Sequence, residues 1–333
     1  MAYPIVWKIE DVFYPLISAI GVPVNLVAII ILSRGKCGLS TSVTRYLIGM
    51  AVADLLVVIF DAMLRYTFSI YLPNSFLKIT PVCSIVSALA LAATVISVWL
   101  TVTFTFDRFV AICCERLKTK FGTERTAATF LATVTVLGCL ESLPWYFVYQ
   151  PKYFIDNIPW GCKSVSSYYT SPAWAAFEII NYILTPCVPF FLILLFNVLT
   201  VRRILVSSQI RRGLRGQRSG KKQKDVELQN RRTSITLLFS ISGSFVLLWG
   251  TKLVFTIYGR ISDIQHYDYS DTDPYFITDH TAKMLQVLSS CTNTCIYAVS
   301  QAKFRKELKN AMTYPFKQII KSWNILKSLK HVN

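Results

Sequence analysis

The residues with the most evident chemistry are charged side chains that lie inside apolar sequence. Asp107 and Arg108 end one long apolar stretch, and Asp54 interrupts another. A charge is costly to bury unless it is paired, and a guanidinium cannot escape that cost by losing its proton. The Asp107–Arg108 pair is therefore either a lock that opens when the protein changes conformation, or an interfacial pair that snorkels to water and has no switching role.

Catalytic arrangements are not evident in the sequence. The chain has three His residues, and they form no metal-spaced cluster. No Ser-His-Asp arrangement is recognisable either. We therefore expect a protein that is not an enzyme and that needs no cofactor. Asp54 is a charge inside an apolar stretch, and such a charge is by default functional.

Seven long apolar stretches must position these charges. A helix needs about 20 mostly apolar residues to cross a bilayer, and only helices or closed barrels satisfy their backbone groups in lipid. The stretches are too long and continuous for barrel strands, and they lack the polar face of a soluble helix. The sequence therefore predicts an all-α membrane protein with a seven-transmembrane helix bundle over residues 12–300. The approximate helices are 12–33, 44–69, 80–113, 124–148, 173–204, 230–259 and 277–299.

Basic residues predict the orientation of the bundle. Of the 35 Lys and Arg residues, 26 lie in three alternate connections and in the segment after the last helix. Positive residues stay on the cytoplasmic side, so residues 1–11 are predicted to be an extracellular N-terminus and residues 315–333 a cytoplasmic tail, in the plasma membrane. Between the bundle and the tail, residues 302–314 are predicted to form a short amphipathic eighth helix. The net charge of +17 suits anionic membrane lipids and an acidic cytosolic partner rather than nucleic acid.

Two cysteines on the predicted outer side are candidates for a disulfide bond. Cys83 lies at the outer start of the third helix, and Cys162 lies in the long outer loop. Both face the oxidising compartment, where disulfides persist. A bond between them would tie that loop across the mouth of the bundle, and the alternative is a pair of free thiols.

Taken together, the motifs resemble those of the rhodopsin-like (class A) G-protein-coupled receptors over about residues 12–311. The matching motifs, in chain order, are Gly21-Val22-Pro23-Val24-Asn25, Leu47 with Ala51-Val52-Ala53-Asp54, Cys83 with Asp107-Arg108-Phe109, Pro189, Phe245 with Trp249, and Asn293-Thr294-Cys295-Ile296-Tyr297. The resemblance implies a signal-transducing receptor that binds an extracellular small molecule, amino acid or peptide and activates a heterotrimeric G protein.

The resemblance also implies roles for individual residues. The residues that correspond to the family's G-protein switch are Asp107, Arg108, Asn293 and Tyr297. The residues that correspond to its core rearrangement cluster are Val98, Pro189, Phe245 and Trp249. The residues that would surround Asp54 and supply oxygen ligands to a sodium ion, the one candidate metal, are Ser97, Ser290 and Asn293. The alternative is a protonated Asp54 that is hydrogen-bonded to its neighbours. Aromatic residues in a helix are, by themselves, ordinary packing, so the role of the core cluster rests on the resemblance.

A ligand is expected between the helices in the outer half of the bundle. The charged candidates for that pocket are Asp61, Arg65, Glu178, Lys252 and Lys283. Asp61 and Arg65 are four residues apart and can pair on one helix face. Each charge near the rim either lines the pocket or reaches water.

Five acids from Asp263 to Asp279 predict an acidic outer loop. That loop either steers a cationic peptide by long-range attraction or is simply solvated.

Some positions depart from the family pattern. Phe109 follows Arg108 where the family usually has Tyr, and Thr251 and Thr294 stand where it has prolines. Within the family, the chain is similar to the branch that contains probable G-protein coupled receptor 139, which implies small aromatic amino-acid or short-peptide agonists.

The main alternative to a receptor is a membrane transporter or channel that uses the intramembrane charges as a permeation path. Transporters often show internal repeats, and the two halves of this chain show none.

Overall fold

Long helices form most of the chain. The computed structural model describes residues 5–114, 117, 122–213, 221–261, 273–311 and 313. The long helices are α1 (Ile5–Ser33), α2 (Thr41–Tyr71), α3 (Thr80–Cys113), α4 (Glu124–Val148), α5 (Pro172–Tyr182, continued by Ile183–Cys187 and Val188–Gly213), α6 (Lys221–Ile261) and α7 (Pro274–Ser300). A shorter helix, α8, covers residues 302–311.

The seven long helices pack as one bundle. Six of them, α1 to α6, have the length and the apolar composition to cross a membrane. The seventh, α7, is 27 residues long, carries the charged residues Asp279 and Lys283, and packs against α1, α2 and α6. The described part of the chain therefore confirms the predicted all-α bundle of seven helices.

The first helix begins earlier than hydropathy predicts. It starts at Ile5, inside the segment 1–11 that is predicted above to precede the bundle. Glu10 continues the helix because it has a specific partner on α7: it is 2% exposed, and its Oε1 lies 2.7 Å from Nδ1 of His280. A charged residue that is paired in this way belongs to the bundle, although a count of apolar residues leaves it out.

Two helices contain a π-helical segment, which changes the direction of the side chains around it. In α2 the segment is Val58–Thr67, and in α5 it is Ile183–Cys187. The α2 segment carries two of the predicted pocket charges. In α5, Thr185 has non-helical dihedral angles, φ −148° and ψ 101°, so this helix is interrupted before it reaches Pro189.

The connection between α4 and α5 contains a β-hairpin and a short helix, Ser166–Thr170, neither of which is predicted above. Strand β1 (Tyr149–Ile155) pairs antiparallel with β2 (Ile158–Ser164). Asp156 and Asn157 form the turn between them, with positive φ angles of 48° and 61°. Two-residue hairpins favour such residues, so an Asp-Asn pair between runs of Tyr, Phe and Ile is a sequence signal for this element.

Three buried clusters fix how the helices are rotated against one another. The cluster nearest the Asp107–Arg108 end includes Tyr46, Leu47, Phe104, Tyr297 and Phe304. A second cluster, between α1, α2 and α7, includes Tyr14, Val58 and Met284. A third, between α3, α5 and α6, includes Val98, Ile193 and Trp249. The rotations that these clusters impose determine which polar side chains meet inside the bundle.

Candidate functional site

The Asp107–Arg108 pair lies buried near the end of α3, with exposures of 4% and 7%. Nε of Arg108 donates to Oδ2 of Asp107 over 3.0 Å, and Nη2 donates to the same oxygen. On the other side of the carboxylate, the Ser42 hydroxyl of α2 donates to Oδ1 over 3.3 Å. The guanidinium is thus folded into the bundle rather than extended to water, which favours a lock over a snorkelling pair.

Tyr297, another predicted switch residue, is held by packing. It is fully buried, and its ring lies edge-on to Phe304 of α8 at a centroid distance of 6.0 Å. Its hydroxyl has no hydrogen-bond partner among the described residues. Arg305 of α8 caps the end of α7 by donating to the carbonyl oxygen of Val299 over 2.7 Å. The structure therefore places Tyr297 at the junction of α7 and α8, and not in hydrogen-bond contact with the Asp107–Arg108 pair.

Asp54 is the centre of a polar site in the middle of the bundle. It is 1% exposed, and both of its carboxylate oxygens accept a hydrogen bond. The Ser97 hydroxyl of α3 donates to Oδ1 over 2.5 Å, and the Asn293 amide of α7 donates to Oδ2 over 2.7 Å. Ser290, the third predicted neighbour, instead accepts a hydrogen bond at its carbonyl oxygen from the Asn25 amide of α1 over 2.9 Å.

A small cavity lies beside Asp54. Its walls are formed by Asp54, Ser97, Val98, Thr101, Ile241, Ser244, Phe245, Trp249, Ser289 and Asn293. Hard cations take oxygen ligands, and a carboxylate surrounded by hydroxyl and amide groups is such a set of donors. The residues therefore fit the predicted sodium ion, which Asp54, Ser97 and Asn293 would hold.

Three of the four predicted core residues form one buried cluster. They are Val98, Phe245 and Trp249. The rings of Phe245 and Trp249 stack with centroids 5.4 Å apart, and the Trp249 indole donates to the Ser289 hydroxyl of α7 over 3.1 Å. Ile193 of α5 completes the cluster, one turn beyond Pro189, which is also buried. The cluster therefore forms part of the wall of the Asp54 cavity and joins α3, α5 and α6.

The predicted disulfide bond between Cys83 and Cys162 is present. It joins the first turn of α3 to strand β2, 79 positions apart in sequence. The Thr80 hydroxyl supports the same junction by donating to the carbonyl oxygen of Gly161 over 2.7 Å. The hairpin is therefore fixed at the end of α3 opposite the Asp107–Arg108 pair.

The five predicted pocket charges fall into three sets of contacts. Nη1 of Arg65 lies 3.3 Å from Oδ1 of Asp61, one turn earlier on α2. Glu178 of α5 accepts hydrogen bonds from the hydroxyls of Tyr168 at 2.8 Å and Tyr182 at 3.3 Å. Burial raises the pKa of Tyr168, which lies in the α4–α5 connection, above its ordinary range. Its hydroxyl therefore keeps its proton and remains a donor to Glu178.

The remaining two charges, Lys252 and Lys283, share a carboxylate that is grouped above with an outer loop. Asp279, which the predicted helix 277–299 also includes, lies on α7. Its Oδ1 is 3.1 Å from Nζ of Lys252, and its Oδ2 is 2.6 Å from Nζ of Lys283. The i, i+4 spacing of Asp279 and Lys283 is the sequence signal for half of this cluster. The loop residues 262–272 lie outside the described part of the chain.

A comparison with family models covers most of the chain. Residues 24–297 match the model of the family described as 7 transmembrane receptor (rhodopsin family). The matched region contains the Asp54 site, the Asp107–Arg108 pair, the disulfide bond and the five charges predicted for a ligand pocket.

Proposed function

The chain belongs to the rhodopsin family of seven-transmembrane receptors, and we propose that it transmits the binding of an extracellular ligand to a heterotrimeric G protein. Members of this family are receptors rather than enzymes, and membership gives no support to the transporter or channel alternative.

The observation that carries the proposal is the buried Asp107–Arg108 pair. An unpaired guanidinium is costly in a low-dielectric interior, so Asp107 holds Arg108 inside the bundle until another partner is offered. Ser42 ties the same carboxylate to α2, and a movement of α3 against α2 would therefore weaken the lock. Once released, Arg108 would contact the G protein.

The predicted pocket and the Asp54 site follow one another along one face of α6. Lys252 follows Trp249 by one helical turn, and Trp249 is hydrogen-bonded to Ser289 in the wall of the cavity. We propose that a sodium ion at Asp54 favours the inactive state. A ligand that moves Trp249 would then disturb the cavity walls and weaken the binding of the ion.

The proposed orientation places the disulfide bond outside the cell and the Asp107–Arg108 end inside. The basic connections support it, as does α8, on which Phe304 is buried while Lys303, Arg305 and Lys306 are exposed. Such a face suits the anionic lipids of the inner leaflet. For the ligand, the resemblance to the branch of probable G-protein coupled receptor 139 supports small aromatic amino acids or short peptides, and a role in neuropeptide signalling.

Expression of the chain with a panel of G-protein sensors tests the proposal. Amino acids and amidated peptides are screened against the unmodified chain, Arg108→Ala and Arg45→Ala, with surface expression measured in parallel. Arg45 is the matched control because it forms an exposed pair with Glu124 at the same end of the bundle. We expect ligand-dependent signalling that is lost only in Arg108→Ala. Intact signalling by that variant would overturn the switch, and ligand-independent conductance would favour a channel.

A further inference from the structure

A carboxylate lies at the contact between α4 and α5 without a cationic partner. The side-chain amide of Asn181, which is buried on α5, donates to Oε1 of Glu141 over 3.2 Å. Among the described residues, no Lys, Arg or His lies within ion-pair distance of Glu141. An ionisable group inside a membrane span is costly unless it is paired, so it indicates a functional site.

The sequence on both sides of this contact supplies no positive charge. Residues 126–150, which include most of α4, and residues 164–201, which include the spanning part of α5, contain no Lys, Arg or His. The other acid of these two segments, Glu178, accepts hydrogen bonds from two tyrosine hydroxyls. A cation that pairs with Glu141 therefore comes from another molecule.

Four aromatic rings form a closed cycle beside this contact. The distances between neighbouring ring centroids are 6.0 Å from Trp145 to Tyr168, 5.9 Å from Tyr168 to Trp174, 5.8 Å from Trp174 to Phe177 and 6.1 Å from Phe177 to Trp145. Neighbouring rings are inclined to each other by 54° to 81°, so they do not cover one another's faces by stacking. Ring faces attract cations, and quaternary ammonium groups are bound by such groups of rings.

The ring cycle and the carboxylate lie one helical turn apart along the same contact. Trp145 follows Glu141 by four residues on α4, and Phe177 precedes Asn181 by four residues on α5. Residues at this spacing lie on one helix face. The Trp145–Phe177 ring contact therefore lies one turn beyond the Glu141–Asn181 hydrogen bond, towards the end of the bundle that carries the hairpin.

The surroundings of the site are apolar and exposed. Glu141 and the four rings are each partly buried, and exposed apolar side chains flank them, namely Leu140, Leu143 and Phe147 on α4 and Ile179 and Ile180 on α5. All of these flanking residues belong to helices that are long and apolar enough to cross a membrane. Lipid is therefore the molecule that reaches this side of the bundle.

We propose that Glu141 and the four rings bind the trimethylammonium group of a choline lipid from the outer leaflet, with its acyl chains along the exposed apolar side chains of α4 and α5. The carboxylate supplies the negative charge. The rings supply faces for a cation that has no N–H group to donate. This lipid site lies outside the proposed ligand pocket, and it does not depend on coupling to a G protein.

Native mass spectrometry of the purified full-length chain in detergent tests the site. The chain is titrated with palmitoyl-oleoyl phosphatidylcholine and with its dimethylbutyl analogue, in which a carbon atom replaces the ammonium nitrogen and the shape is kept. We expect the choline lipid to bind at least ~10-fold more tightly, because the analogue loses both the cation–π contacts and the ion pair.

Variants locate the preference for the choline lipid. Glu141→Gln, which keeps the side-chain shape, should remove most of it, and Trp145→Leu and Trp174→Leu should each weaken binding of the choline lipid about 2- to 5-fold. Two controls should leave the preference unchanged. Glu124→Gln changes an exposed acid at the other end of α4, and Phe147→Leu changes an exposed ring of α4 outside the cycle. The midpoint of thermal unfolding shows that each variant is folded.

Equal affinity of the unmodified chain for the two lipids would overturn the inference. A preference that survives in Glu141→Gln would also overturn it, since Glu141 would then be a protonated acid bound to Asn181 alone. Equally tight binding of phosphatidylethanolamine would reduce the site to a simple ion pair. Displacement of the lipid by millimolar choline chloride would assign the site to a soluble cation instead, and we expect the lipid to resist it because its acyl chains contribute to binding.

Discussion

The side-chain amide of Asn293 donates to Oδ2 of Asp54 over 2.7 Å and joins α7 to α2 across 239 positions of sequence. The other oxygen accepts a hydrogen bond from Ser97 of α3. The carboxylate is therefore a junction of three helices rather than an isolated charge. A cation bound at this junction would be held by groups from all three helices, and would favour the arrangement in which they are in contact.

Asp54→Asn should remove a stabilising effect of sodium. The purified chain is unfolded thermally in sodium chloride and in choline chloride of equal ionic strength. At a sodium concentration ten times the dissociation constant, binding to the folded state contributes about 1.4 kcal/mol. Asp61→Asn is the control, because Asp61 is another intramembrane acid but pairs with Arg65 and does not line the cavity. A sodium effect that survives in Asp54→Asn would place the ion elsewhere.

Asp107→Asn should raise ligand-independent signalling. The amide keeps the shape of the side chain but removes the charge that holds Arg108, and removing one partner of a buried ion pair costs about 3–5 kcal/mol. Ser42→Ala removes only the 3.3 Å hydrogen bond to Oδ1 and should have a smaller effect. The basal response of a G-protein sensor, normalised to surface expression, measures both. A basal response of Asp107→Asn no higher than that of the unmodified chain would contradict the lock.

Loss of the Cys83–Cys162 bond should destabilise the chain and reduce its amount at the cell surface. Removing a native disulfide typically costs about 2–5 kcal/mol. Cys83→Ser, Cys162→Ser and the double variant should lose the same amount, because each breaks the same bond. Cys139→Ser is the control, since Cys139 is a free and exposed cysteine. Additive losses in the double variant would show that the two cysteines act independently.

The bundle could be predicted because lipid imposes simple rules on sequence. A span must be continuously apolar and helical, so hydropathy locates the helices. The spacing of four residues likewise identifies the Asp61–Arg65 pair, because both residues lie on one helix. The neighbours of Asp54 required the resemblance to a family, since Ser97 and Asn293 come from other helices.

Contacts that depend on the rotation of one helix against another could not be predicted. Asp279 and Lys252 are on different helices, 27 positions apart, and meet only because of how α6 packs on α7. Glu10 and His280 are 270 positions apart, and no local pattern connects them. Each of these acids is nevertheless a polar contact between helices in the structure.

Gly21→Ala should destabilise the contact between α1 and α7. A Cβ at this position would lie 2.6 Å from Sγ of Cys291 and 3.0 Å from a γ-carbon of Val58. Extra volume in a packed core costs about 1–3 kcal/mol, and the midpoint of thermal unfolding in nanodiscs measures the loss. Cys291→Ala in the same chain should recover part of it, and only part, because Val58 remains close.

Gly243→Ala is the matched control for this test, since nothing lies within 4 Å of a Cβ there and alanine favours helix over glycine by about 1 kcal/mol. This variant should therefore be at least as stable as the unmodified chain. If Gly21→Ala behaved in the same way, α1 and α7 would not be in close contact at this level. The hydrogen bond from Asn25, one turn after Gly21, to the carbonyl oxygen of Ser290, the residue before Cys291, would then not be fixed by that packing.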